Sequence, residues 1–194
     1  LLIDYPDDLG PLDNILFDMD KFQWIIFSSS NGIKFVDERL RNLNSSLKAC
    51  SRNIKIAVVG EKTALTLSEL GIEADFVPPK FIAESLIENF PISGYGLRVL
   101  LPRVQTGGRN LIADEFRNSG SRVVEVAAYE TRCPDSIPLE TIKAIANRKV
   151  DAMLFSSGKT VSNSAFLLEK EFGEKWLTFL DDTKLLSIGP QTSR

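Results

Sequence analysis

Two short stretches of this 194-residue chain carry residue types suited to gripping anions. Ser28-Ser29-Ser30-Asn31-Gly32 follows the apolar run Trp24–Phe27, and Ser156-Ser157-Gly158-Lys159-Thr160 follows Ala152–Phe155. Where a parallel strand turns into a helix, free backbone N–H groups meet the positive end of the helix dipole. Small hydroxyl residues and glycine let an anion approach them closely. Each stretch is followed by a second apolar run ending in Gly-x-x-Thr, first at Gly60 to Thr63 and then at Gly189 to Thr192. The spacing from Phe27 to Gly60 matches that from Phe155 to Gly189 to within one residue. Self-similarity of this kind marks a repeated structural unit. One hydroxyl at a helix start is also an ordinary cap. The recurrence favours two sets of donor-rich turns, expected to face a cleft for a large anionic ligand.

Other candidates are single residues. Arg103 ends the apolar run from Val99, and Gly107-Gly108-Arg109 follows it. That loop can hold a carboxylate or phosphate, or it can be a flexible loop with a solvated arginine. Tyr129, in Val126-Ala127-Ala128-Tyr129-Glu130-Thr131, is either a proton donor beside a cleft or a packed strand aromatic. Trp24 and Trp176 read as core aromatics, and Asp7, Asp8, Asp181 and Asp182 as solvated loops rather than a metal cage.

Composition removes several classes of chemistry. The chain has no histidine, so it contains no Ser-His-Asp triad, no Cys-His dyad and no His-ligated metal. Proton transfer within it falls to carboxylates, lysine, tyrosine, hydroxyls or water. A net charge of −3 argues against general nucleic-acid binding. No apolar stretch reaches the length of a membrane span. Cys50 and Cys133 lack metal-type spacing and read as free thiols in a reducing compartment. Neither dinucleotide nor P-loop glycine patterns occur. The chain begins at Leu1 without a signal-peptide pattern, and Gln191-Thr192-Ser193 looks like a helix just starting, so a fragment lacking both ends is expected.

The elements that must position these residues alternate along the chain. Strands are expected at 1–5, 23–27, 54–59, 74–77, 98–101, 123–129, 152–155 and 184–188. Helices are expected at about 32–44, 62–70, 82–90, 109–118, 139–147 and 161–172, with 7–20 acidic and loop-like apart from a possible short helix. The strands are apolar without alternation, as in sheets covered on both faces. The pattern is that of a doubly wound parallel α/β sheet, with Cys133–Ser136 as the best linker and a shorter second unit.

Taken in order, Trp24-Ile25-Ile26-Phe27-Ser28-Ser29, Val58-Val59-Gly60-x-x-Thr63-Ala64, Val99-Leu100-Leu101-Pro102-Arg103, Val126-x-x-Tyr129-x-Thr131, Phe155-Ser156-Ser157-Gly158 and Ile188-Gly189-Pro190-x-Thr192 resemble the uroporphyrinogen-III synthase family. The resemblance spans nearly the whole chain. It implies two similar doubly wound α/β domains joined by a two-stranded β connector, with one domain incomplete in this chain. On that plan residues 1–12 are a connector strand and loop, 13–122 a complete inserted domain, 123–133 the return connector strand, and 134–194 a partial domain. The implied reaction closes hydroxymethylbilane, a linear tetrapyrrole with eight carboxylates, with loss of water and inversion of the last pyrrole ring through a spiro intermediate. No cofactor or metal is implied. Carried over by motif, Tyr129 assists departure of the hydroxyl. Thr63, Ser157, Gly158 and Thr192 contact substrate carboxylates, with Ser29, Ser30 and Arg103 as further binding candidates. The expected setting is a monomer in the cytoplasm, or in the plastid stroma of a eukaryote, with no nucleic-acid or membrane partner. Two other readings stay open on the residues alone: a non-catalytic two-domain binding module for a small anion, and a sugar-nucleotide enzyme.

Overall fold

A computed structural model of the chain describes residues 1–107, 110–190 and 192–193. The chain divides into two compact units, one of Ile3–Thr131 and one of Leu1–Leu2 with Arg132–Arg194. In order, the first part of the chain forms β1 (Leu2–Asp4), α1 (Gly10–Phe17), β2 (Trp24–Phe27), α2 (Ser30–Asn42) and the single-turn α3 (Leu47–Cys50). It continues with β3 (Lys55–Val58), α4 (Glu61–Glu69), α5 (Ala83–Glu88), β4 (Arg98–Val104), α6 (Leu111–Asn118) and β5 (Arg122–Arg132). The strands lie in the order β1-β5-β4-β2-β3, and β2 pairs parallel with both β3 and β4, as β4 does with β5.

The unbroken apolar strands are explained by burial on both faces. Side chains of a strand alternate between faces, and β2 uses all four. Ile25 and Phe27 join Ile33, Val36 and Leu40 of α2 in one cluster, with Ile56 and Val58 of β3. Trp24 and Ile26 join Leu86 of α5 and Ile112, Ala113 and Phe116 of α6 in the other. Helix α2 buries Ile33, Val36 and Leu40 at helical spacing, and the buried Asp37 beside them accepts from Arg41 Nε at 2.7 Å and Leu47 N at 2.9 Å.

One expectation becomes definite and one changes. The acidic stretch 7–20 contains helix α1, with Pro11 in its first turn and Leu12 and Leu16 buried. Asp7, Asp8 and Asp20 face outward, while Leu12, Leu16 and Met19 recur at helical spacing into the core. The strand expected at 74–77 shrinks to one bridge, between Ala57 and Phe76. Asp75 is the cause: its Oδ2 accepts the Ile56 N–H at 2.8 Å, a position that a ladder carbonyl would otherwise fill. Pro78 and Pro79 then stop the strand from extending.

The second unit holds α7 (Leu139–Ala146), β6 (Ala152–Phe155), α8 (Gly158–Phe172), a 3-10 segment at Trp176–Leu180 and β7 (Lys184–Ser187). Strands β6 and β7 pair parallel. Its core is small: Ile145, Leu168 and Leu180, with Met153, Phe172 and Trp176 packed against them. Leu154, Leu186 and Ile188 stay half or more exposed. Among the described residues, no helix is long and apolar enough to cross a membrane, and Cys50 and Cys133 are free thiols.

Candidate active site

In the first unit the chain runs from β2 outward to β3, then crosses back to β4 on the other side of β2 and on to β5. The winding direction therefore reverses between β2 and β4. In open α/β sheets, ligands bind beyond the carboxyl ends of the strands at such a reversal. Two turns and one strand end meet that edge here: Ser28–Asn31 after β2, Gly60–Thr63 after β3, and Arg103 near the end of β4. Gly32 makes the close approach possible. A Cβ there would lie 3.3 Å from the Phe27 ring and 3.5 Å from the Pro102 carbonyl.

Beside the end of β4 and the middle of β5 lies a polar hollow of about 560 Å³, lined by Arg103, Gln105, Gly107, Asn110 and Glu125 among others. A smaller one, of about 30 Å³, lies between Ser28, Pro102 and Ile112 and shares Arg103 and Glu125 with it. A third hollow of about 340 Å³ lies at the opposite, amino edge, between Leu16, Phe17, Cys50 and Ile54. Its described lining holds Asp20 but no lysine or arginine, so it does not suit an anion.

Among the described residues, Arg103 is a cation lining both hollows at the reversal. The inward positions Val99 and Leu101 pack against α5 and α6, and Arg103 takes the next place on that face as β4 emerges from cover. Its Nη1 donates to Glu125 and, at 2.9 Å, to Asn110 Oδ1. Its Nη2 donates to the Gly107 carbonyl at 3.2 Å. Glu125 is also held by Arg117 Nη2 at 2.7 Å. Burial pushes the Glu125 carboxyl up, but hydrogen bonds from Arg117 and then Arg103 outweigh it and hold it below the usual carboxylate range. Asn110 precedes α6 as its N-cap residue, yet its side chain serves Arg103 instead of capping.

The other candidates of this unit fall on the same edge with different degrees of access. Ser29 caps α2, its Oγ accepting from Asn31 N at 3.2 Å, and Ser30 begins the helix half-buried. Thr63 is buried in the first turn of α4, its N–H donating to the Gly60 carbonyl at 3.0 Å. Tyr129 lies opposite Val104, and its carbonyl accepts from Gln105 N at 2.8 Å. Its ring is 8% exposed and stacks on Phe35 of α2, centroids 5.8 Å apart. The pairing of β4 with β5 shifts between Arg103 and Val104, leaving Ala128 as an extra residue. That bulge turns Tyr129 to the α2 face, away from the face of Glu125.

The second unit repeats two main-chain bonds of these turns, while its serine cap differs. Val59 N donates to Phe27 O at 3.1 Å, and Ile188 N donates to Phe155 O at 3.1 Å. Thr63 N donates to Gly60 O at 3.0 Å, and Thr192 N donates to Gly189 O at 3.0 Å. Ser157 caps α8 in a reciprocal box: its Oγ accepts from Thr160 N at 3.3 Å, and Thr160 Oγ1 accepts from Ser157 N at 3.2 Å. A Cβ at Gly158 would meet no atom within 4 Å, so that helix start opens outward. Ser157, Gly158 and Thr192 therefore share the carboxyl edge of β6 and β7. Gly108 and Arg109 lie outside the described residues.

Glu125, Arg117 and Asn110 were not singled out from the sequence. The available signal was a charged residue, Glu125, at a position where neighbouring Val123 packs inward. Among the described residues, no group of three or more His, Cys, Asp or Glu side chains is placed to hold a metal ion.

The family model of uroporphyrinogen-III synthase HemD matches residues 2–194. The uroporphyrinogen-III synthase of Synechococcus elongatus is 41% identical over 190 residues, which is 97% of this chain and 70% of that protein. Among solved structures, uroporphyrinogen-III synthetase from Helicobacter pylori superposes with a TM-score of 0.62 at 20% identity, covering 98% of this chain and 76% of that one. A mutant uroporphyrinogen III synthase from Thermus thermophilus gives 0.61 at 18% identity, covering 98% and 74%. The two structural likenesses speak for the fold, and the family match and the 41% relative for descent. The chain belongs to the uroporphyrinogen-III synthase family.

Proposed function

We propose that this chain closes hydroxymethylbilane to uroporphyrinogen III, with the last pyrrole ring inverted and water lost. The observation that carries the reading is the repeat of two main-chain bonds of the Phe27–Thr63 turns at Phe155–Thr192, with Arg103 at the winding reversal. A substrate with eight carboxylates is suited by fixed backbone donors, which need little reorganisation when charge shifts. Holding such a chain in one bent pose removes the conformational freedom that leads to the uninverted ring, an effect that reaches on the order of 7 kcal/mol in well-oriented systems. Arg103, Ser29, Ser30 and Thr63 in one unit, with Ser157, Gly158 and Thr192 in the other, are the proposed carboxylate contacts. Tyr129 is the proposed aid to departure of the hydroxyl, supported by its motif and by its place at the carboxyl end of β5.

The same reading assigns residues 1–12 and 123–133 to a two-stranded connector, 13–122 to the inserted domain and 134–194 to part of the returning domain. A monomer in the cytoplasm or plastid stroma is the proposed setting. The test is to offer hydroxymethylbilane to the full-length protein and resolve the uroporphyrinogen isomers. The type III isomer in excess over the spontaneous product is expected. Binding of the bilane with only the spontaneous isomer formed overturns the reading in favour of a binding module.

A further inference from the structure

We propose that Glu125 is a positioning residue: its carboxylate fixes the Arg103 guanidinium at the mouth of the polar hollow, where Arg103 receives one carboxylate of the substrate. The inference rests on the reading of Arg103 as a substrate contact and extends it to residues on two further elements.

A long arginine side chain at the free end of a strand samples many rotamers, and ordering it on substrate binding costs affinity. Here the cost is met in advance. Arg103 is clamped by three acceptors from three places: Glu125 on β5, Asn110 Oδ1 before α6, and the Gly107 carbonyl in the loop after β4. Only Glu125 among them is charged, so it supplies the strongest tie. Glu125 is itself immobilised, because its other oxygen accepts from Arg117 of α6. Arg103 and Glu125 are each about one-fifth exposed, against 45% for Arg117.

Two guanidinium groups share the Glu125 carboxylate, and Arg117 also lies 3.5 Å from Asp114 on the more exposed side of the cluster. Arg103 lines both hollows beside the reversal, so the group that Glu125 orients is the one an incoming carboxylate meets.

The experiment measures KM and kcat for hydroxymethylbilane, by formation of the type III isomer, in the full-length protein. Glu125→Gln is expected to raise KM about ten-fold, the size of one lost charge-assisted hydrogen bond, with kcat changed less than about two-fold. Glu125→Asp should recover part of the loss. Arg103→Ala should raise KM at least as much, and the double variant Arg103→Ala/Glu125→Gln should be no worse than Arg103→Ala alone. An unchanged KM in Glu125→Gln, or losses that multiply in the double variant, overturns the positioning role while leaving Arg103 as a contact. A wild-type KM in Arg103→Ala removes Arg103 from the site and the inference with it. Should Glu125→Gln fail to fold, Arg117→Gln takes its place, at a more exposed position. A smaller KM rise is expected there, and an unchanged KM overturns the proposal.

Discussion

Tyr129 shows how much a single residue's role depends on its neighbours. Its ring is held against Phe35, and a bulge sets its direction. Removing only the hydroxyl leaves that packing intact. Tyr129→Phe is therefore expected to slow turnover several-fold while the thermal midpoint stays close to wild type, because the stacked ring and its burial are retained. Turnover at the wild-type rate would return Tyr129 to a packing role. Ser29 and Ser157 make the complementary point. Both hydroxyls cap helices, and the cap is compatible with an anion because it leaves other first-turn N–H groups to point outward.

At the scale of elements, the site depends on where strands stop. Strand β3 is bordered by an aspartate side chain instead of a full neighbouring strand, and Asp75 takes the N–H of the fully buried Ile56. Asp75→Ala leaves that donor without its acceptor. It is expected to cost about 1–3 kcal/mol, the penalty of an unsatisfied buried group. A urea midpoint unchanged from wild type would show that the bond contributes nothing. The β4–β5 pair matters for a different reason. Arg103 and Glu125 share one face in the regular register ahead of the bulge, and the bulge after Arg103 turns Tyr129 to the other. Helix α6 closes the arrangement by carrying Arg117 on its outer turn.

For the whole molecule, partly buried ion pairs set the response to acid. Hydrogen bonding from Arg39 holds the Asp13 carboxyl below its ordinary value, with burial opposing. Glu125 is likewise held low, its burial outweighed by Arg117 and Arg103. A carboxylate with a depressed folded pKa stabilises the fold above its unfolded pKa. As pH falls through the ordinary carboxylate range toward the lower folded values, the unfolded chain takes up protons first and that stability is lost. Denaturant midpoints measured from pH 7 to about pH 3 should therefore fall, and Asp13→Asn or Glu125→Gln should flatten the decline while lowering the neutral-pH value. A slope identical to wild type in both variants would mean that neither pair is linked to folding.

The sequence by itself determined the alternation of strands and helices, the double burial of β2 and the repeated turns. Each depends on local chemistry: apolar runs without alternation, hydroxyl and glycine residues after them, and helical spacing behind. It also carried the family, because order and spacing survive when individual motifs are loose. Residues 7–20 offered only a possible short helix in the sequence, because their charge masked the helical spacing of Leu12, Leu16 and Met19. What only the tertiary structure decided was pairing between distant segments. The β4–β5 bulge depends on register between two strands, which neither strand specifies alone. The Arg103–Glu125–Arg117 cluster joins two strands and a helix, so no spacing along the chain announces it. Burial of Thr63 and Tyr129 likewise follows from what packs over them, a property of the assembled sheet and helices rather than of the residues themselves.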